Sequence, residues 1–250
     1  MANWNDPQPT RRDTRAGFGA SPARDRQVDR TTFDAGLRKY MLSIYNYMAS
    51  GVLLSGIVAM VMASTGMTQA MMGSPLLWLV MLSPLAIVFA MSLGANRFST
   101  GTLQLMFWGF CILMGMSMST IFLVYTGASI AAKFFATAGA FAGLSLFGYT
   151  TKKDLQGFGT FLVMGVIGLI IAMVINIFLQ SPAMMYAISF IGVLIFAGLT
   201  AYDTQRLKRQ YHQLAGTEFM GKAVILGALS LYLDFINMFQ FLLMFMGQRD

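Results

Sequence analysis

At 250 residues, with hydrophobic side chains at 56% and charged ones at 11%, the chain lies far from the roughly 25% charged residues of soluble globular domains, and a mean hydropathy of +0.64 places it in a bilayer. The formal net charge of +7 gathers in an N-terminal tail and a few loops, without the aromatic-basic pattern of a nucleic-acid module. Topology accounts for it, and no nucleic-acid partner is expected.

Residues 1–36 are rich in Arg, Asp, Pro and Gly and poor in large apolar groups, so they are expected to form a disordered, basic, cytoplasmic tail. Five interspersed aspartates dilute its attraction to anionic lipid. The tail lacks the order of basic, apolar and small residues that marks a cleavable signal peptide, so the first apolar segment should remain as an anchor. A spanning helix needs about 20 mostly apolar residues. Seven segments qualify: Met41 to Ser64, Pro75 to Leu93, Leu103 to Tyr125, Ser129 to Tyr149, Phe158 to Leu179, Ala183 to about Thr204, and Gly221 to Met246. They mix Gly, Ala, Ser and Met without alternation, which argues against a β-barrel. The expected fold is therefore all-α, a polytopic membrane protein with seven transmembrane helices over residues 37–250.

Lysines and arginines fall in the tail, at Arg97, at Lys152 and Lys153, and at Arg206, Lys208, Arg209 and Lys222, whereas Gly66 to Ser74 and Gln180 to Pro182 carry none; Lys133 is the exception. The positive-inside rule then puts the N-terminus in the cytoplasm. Seven full spans place the C-terminus outside, and a re-entrant last segment would return Arg249 to the cytoplasm. One arginine does not decide between them, and seven full spans are preferred.

Several features carry little chemistry. Cys111 is the sole cysteine, which leaves no disulfide or redox pair within the chain. His212 is the sole histidine, set in a polar stretch without neighbouring ligands, and reads as a solvated loop residue rather than a zinc ligand. Met114, Met116 and Met118 suggest soft-metal transport, but residues two apart on a helix point about 200° apart, so packing is the better reading. Gly-x-x-x-Gly at Gly139 and Gly143, and Gly51 with Ser55, allow close helix approach, expected within the monomer; a weak homo-oligomer is the alternative. No phosphate loop, zinc-protease helix or Ser/His/Asp set is present, so no enzyme and no cofactor is expected.

Asp203 and Asp234 are the two acidic residues inside the hydrophobic body, and a carboxylate at such depth is by default a functional candidate. In the seventh segment Gly227, Ser230, Asp234, Asn237 and Phe241 recur at steps of three and four, a small and polar stripe facing away from lipid. A central position for this helix follows. Asp203 closes the sixth segment on one face with Thr200, and Arg206 stands three residues on, so a solvated helix-end pair is the bland alternative. A helix ruler places Asp234 deeper than Asp203, and their contact then requires tilt or helices that extend beyond the membrane.

The strings Ala128-Ser129-Ile130, Gly148-Tyr149-Thr150-Thr151-Lys152-Lys153-Asp154-Leu155, Gly198-Leu199-Thr200-Ala201-Tyr202-Asp203-Thr204-Gln205 and Gly227-Ala228-Leu229-Ser230-Leu231-Tyr232-Leu233-Asp234-Phe235-Ile236-Asn237 resemble the Bax-inhibitor family in its bacterial members. The resemblance covers nearly the whole chain after the tail. It implies seven helices with the last one central, residence in the bacterial inner membrane, and a pH-sensitive calcium leak in which two aspartates share a hydrogen bond. Those aspartates match Asp203 and Asp234. It also implies a closed-state arginine at the end of the second helix, for which this chain offers Arg97, and a membrane-bound AAA protease as partner.

Two functions follow as expectations. One is a cation leak pathway in which calcium, an oxygen-seeking ion, passes transiently near Asp203 and Asp234 with Thr200, Arg206, Ser230 and Asn237 in support. The other is an interaction protein that modulates membrane-protein turnover and stress survival, with the aspartates serving only to lock helix packing.

Overall fold

The computed structural model describes residues 22–248, with side chains from Asp34 onward. The chain divides between Gly36 and Leu37, and the unit that begins at Leu37 carries the membrane-spanning bundle. Of the expected tail, residues 1–21 lie outside the described residues; from Pro22 onward the chain is helical.

The helices in chain order are α1 (Pro22–Ser64), a short α2 (Met67–Met72), α3 (Leu76–Gly94), α4 (Thr100–Met118), the single turn α5 (Ile121–Val124), α6 (Gly127–Thr150), α7 (Gln156–Leu179), α8 (Pro182–Leu214) and α9 (Met220–Met246). No strand occurs among the described residues. Seven helices are long and apolar enough to cross a membrane, with α5 continuing α4 as one of them. Polar residues mark the starts. Ser99 accepts the Thr102 N–H at 3.1 Å, Thr126 that of Ser129 at 3.2 Å, and Ser181 that of Met184 at 3.3 Å, each satisfying an otherwise orphaned first-turn donor. Pro182 follows in the first turn of α8, where its missing N–H costs nothing.

α9 sits at the centre. Its Tyr232 ring meets Phe107 and Phe110 of α4 edge-on, Phe235 meets Phe134 and Phe141 of α6, Phe241 stacks on Phe196 of α8, and Gly227 lies under Leu207 of α8 and Ile44 of α1. Neighbours on four sides explain why buried residues occur all round this helix, against the one-sided pattern of a peripheral span. α7, by contrast, exposes Phe161, Met164, Ile171 and Phe178, as a helix facing lipid should.

α9 also crosses completely. At one end Lys222 donates to the Ala95 carbonyl between α3 and α4 at 3.2 Å. At the other, Gln248 gives its N–H to Ser129 Oγ at 2.9 Å and accepts the Thr126 N–H at 3.2 Å. The Thr126 turn lies at the far end of α6 from Lys153, so a re-entrant last segment is excluded.

The methionine run separates as helix geometry requires. Met116 packs with Met62, Met71 and Val80, Met118 with Tyr125 and Phe239, and Met114 lines a cavity with residues of α3, α7, α8 and α9. The glycine pairs divide. A Cβ at Gly51 would press on Phe107 and Cys111 Sγ at 2.9 Å, whereas Gly139 and Gly143 have nothing within 4 Å. Packing within the monomer thus holds for the first pair and is corrected for the second. Close approach on α6 occurs instead at Gly148, whose missing Cβ leaves room for the Ala201 carbonyl of α8.

Candidate functional site

Depth along the bundle is the first question, and α8 answers it by running well past the apolar segment. With 33 residues at 1.5 Å each it is about 50 Å long, against a hydrocarbon core of about 30 Å. The polar turn carrying Arg206, Lys208 and Arg209 is helical, and His212 is an exposed residue of the same helix rather than of a loop. Asp203 lies eleven residues before the end of α8 and Asp234 fourteen after the start of α9, which is about 17 and 21 Å from the shared turn. Helix extension brings the two carboxylates to similar depth.

Asp203 is 7% and Asp234 4% exposed, so the solvated helix-end reading of Asp203 does not hold. Each lies within electrostatic range of Arg206, and Asp234 also within that of Asp203. Arg206 Nη2 donates to Asp203 Oδ2 at 3.2 Å and to Ser230 Oγ of α9 at 3.0 Å, joining the two helices across the pair. Tyr202 sets its ring 5.8 Å from the guanidinium carbon. No hydrogen bond links the carboxylates directly. Asp234 Oδ2, Arg206 Nε and the hydroxyl of Tyr40, itself in reach of the Arg206 charge, are buried without a partner. Each such atom costs about 1–3 kcal/mol, and two of them in the field of a guanidinium whose own Nε is the third make a buried polar cluster that packing alone does not explain.

The supporting residues fare differently. Thr200 is fully buried but bonds the Phe196 carbonyl of its own helix at 2.8 Å, and Asn237 likewise bonds Leu233 O at 2.8 Å. Leu233 and Asn237, which flank Asp234 on α9, line a cavity of about 360 Å³ walled by Phe110, Phe196 and Phe241. Arg97 is exposed in the turn after α3 and is not the partner of Asp203. That place belongs to Arg206, which the i, i+3 spacing brings to Asp203 from within the same helix.

Sequence reasoning missed two networks. Ser55 of α1 donates to the Cys111 carbonyl at 2.7 Å and shares a 2.6 Å hydrogen bond with Tyr232, tying α1, α4 and α9 together. At the end of α8, Gln205 Nε2 donates to Lys153 O at 2.7 Å and Gln205 Oε1 accepts from Leu155 N at 3.0 Å and from Arg209. Lys208 donates to Tyr149 O at 2.9 Å, and Arg209 pairs with Asp154 at 2.7 Å. Outside the membrane, the Gln156 N–H first and the Arg209 guanidinium next hold Asp154 below the usual carboxylate range. The string from Gly148 to Leu155 is thereby a clasp onto α8. Its meaning needed the partner helix. Among the described residues no three His, Cys, Asp or Glu side chains gather in one place.

Residues 37–250 match the family described as Inhibitor of apoptosis-promoting Bax1. An uncharacterized protein of Caulobacter vibrioides is 46% identical over 243 residues, covering 92% of this chain and 97% of the relative. One of Rickettsia prowazekii is 44% identical over 224 residues, at 87% and 93% coverage. The inner membrane protein YbhL of Escherichia coli is 43% identical over 219 residues, at 86% and 94% coverage. Six apolar helices around a central seventh, and a family match along the entire bundle, make this chain a multi-pass inner-membrane protein that belongs to the Bax1-inhibitor family.

Proposed function

We propose that the protein is a pH-sensitive leak pathway for cations across the inner membrane, with calcium as the transported ion and the Asp203–Asp234 pair as its gate. The observation that carries this reading is the buried cluster of two carboxylates and one guanidinium with orphaned polar atoms around it. One arginine balances one carboxylate. The second must hold a proton or attract a cation, since an unpaired buried charge is prohibitively costly. The cavity at Leu233 and Asn237 supports an approach from the side opposite Arg206. Calcium takes six to eight oxygens, and the carboxylates would supply part of that shell in passing. The experiment is calcium flux into proteoliposomes at two pH values: flux that differs between them is expected, and its absence at any pH overturns the reading.

The arrangement of basic residues supports a cytoplasmic N-terminus. Gln69 and Lys153 are both exposed and stand at opposite ends of the bundle, while Cys111 is buried. A cysteine at Gln69 should react with an impermeant reagent on intact cells and one at Lys153 should not. Labelling at Lys153 would reverse the orientation.

Arg206 acts in this reading as the internal counter-charge. Arg206→Lys keeps the charge but loses the fork that reaches Asp203 and Ser230 together. Its expected effect is a leak raised several-fold at the pH where the wild type is least conductive, measured in the same vesicles. Wild-type flux would show that the bridge does not restrain the gate.

A further inference from the structure

We propose that the groove between α1 and α6 is a binding site for an anionic phospholipid of the leaflet at the Arg38 end of the bundle. The groove holds about 520 Å³, within the range of ligand sites, and runs along the flank of the bundle. Met41 and Leu42 of α1 face Phe141 and Leu146 of α6 across a floor of Ala142 and Ser145. From Phe141 to Tyr149 the helix rises about 12 Å, a slot of acyl-chain proportions. Its charge is confined to one end. Arg38, exposed and in no ion pair among the described residues, closes that end with Tyr149 of the last turn of α6, while Tyr45 lies about 10 Å further along α1. A second cation stands behind, because Lys208 lies 4.8 Å over the Tyr149 ring.

Cations and Tyr149 at the interface with a mostly apolar slot beyond repeat the order of head group and acyl chain in a phospholipid, and tyrosine is at home at that interface. Charge complementarity selects an anionic head group. A neutral lipid fills the slot without using Arg38, and free phosphate meets Arg38 without using the slot. The floor is also informative. The Thr204 hydroxyl donates to Ser145 Oγ at 3.3 Å, so the floor of this groove is itself bonded to α8 at the residue after Asp203.

The test is native mass spectrometry of the detergent-solubilised full chain with dioleoyl-phosphatidylglycerol, dioleoyl-phosphatidylcholine or inorganic phosphate added. Phosphatidylglycerol should be retained over phosphatidylcholine, and phosphate alone should not be retained. Arg38→Gln should lower that preference about fivefold, the worth of one basic side chain near an anionic surface. Ala142→Trp, which fills the slot from an exposed position and leaves the core untouched, should remove retention of both lipids. Equal retention of the two lipids by the wild type, unchanged retention by Ala142→Trp, or binding of phosphate alone overturns the proposal.

Discussion

Asp234→Asn should flatten the pH dependence of calcium flux, leaving a low leak at every pH at which the wild type titrates. The charged and titratable groups around Asp234 are Asp203 and Arg206 of α8, with Tyr40 of α1 in reach of the same arginine. With both carboxylates ionised the cluster carries one net negative charge; with one proton held between them it is neutral. Burial and like charge both penalise the second ionisation, so the proton belongs to the pair. Raising the pH removes it and leaves a negative site that recruits a cation, and lowering the pH restores neutrality and closes it. An asparagine cannot titrate, and Arg206 with Asp203 alone is neutral throughout. Asp203→Asn acts on the same cluster through Arg206, so the double variant should lose no more than the larger of the singles rather than their sum. If both single variants keep wild-type pH-dependent flux, the aspartates are packing elements.

Gly148→Val should destabilise the bundle more than a substitution at any of the open α6 glycines. A Cβ at Gly148 would sit 2.9 Å from Ala201 Cα and closer still to its carbonyl oxygen, and backbone cannot rotate away as a side chain can. The helices must separate, which breaks the Lys208 and Gln205 clasp beyond them and the Thr204–Ser145 bond. Overpacking of a flexible core costs about 1–3 kcal/mol, and a backbone obstacle belongs at or above the upper end. Thermal unfolding in detergent measures this, with Gly143→Val on the same helix as the control expected to match wild type. Equal midpoints for the two variants would show that α6 and α8 can slide apart freely.

The seven spans were legible because a helix in lipid must be apolar for about 20 residues, a signal that no tertiary context erases. The extension of α8 beyond its apolar segment was legible only as one of two possibilities, since beyond the bilayer hydropathy falls silent and Arg206 to His212 reads as a loop. Asp203 therefore looks shallow in the sequence, and its contact with Asp234 is left to either tilt or helix extension, of which the structure shows the extension. Gly139, Gly143 and Gly148 are chemically identical in a sequence; only the rotation of α6 about its axis tells which one meets a neighbour. The same ignorance of rotation hid the bond from Arg206 to Ser230, although its spacing to Asp203 was plain, and led Arg97 to be weighed for a place already taken. Ser55 and Tyr232, 177 residues apart, share no local pattern at all.

The helix at the centre of the bundle follows the other six spans in the chain, so it is synthesised after them. Until the segment from Met220 onward enters the membrane, the Ser55 hydroxyl lacks Tyr232, Arg206 lacks Ser230, and the aromatic faces of α4, α6 and α8 have lipid where α9 belongs. Assembly is then expected to proceed from a ring that closes on a late-arriving core rather than by accretion onto an early one. Chains stopped short of α9 lose their keystone, not merely an edge. The Gln248 contacts with Thr126 and Ser129 then fasten the far end of α9 to the start of α6.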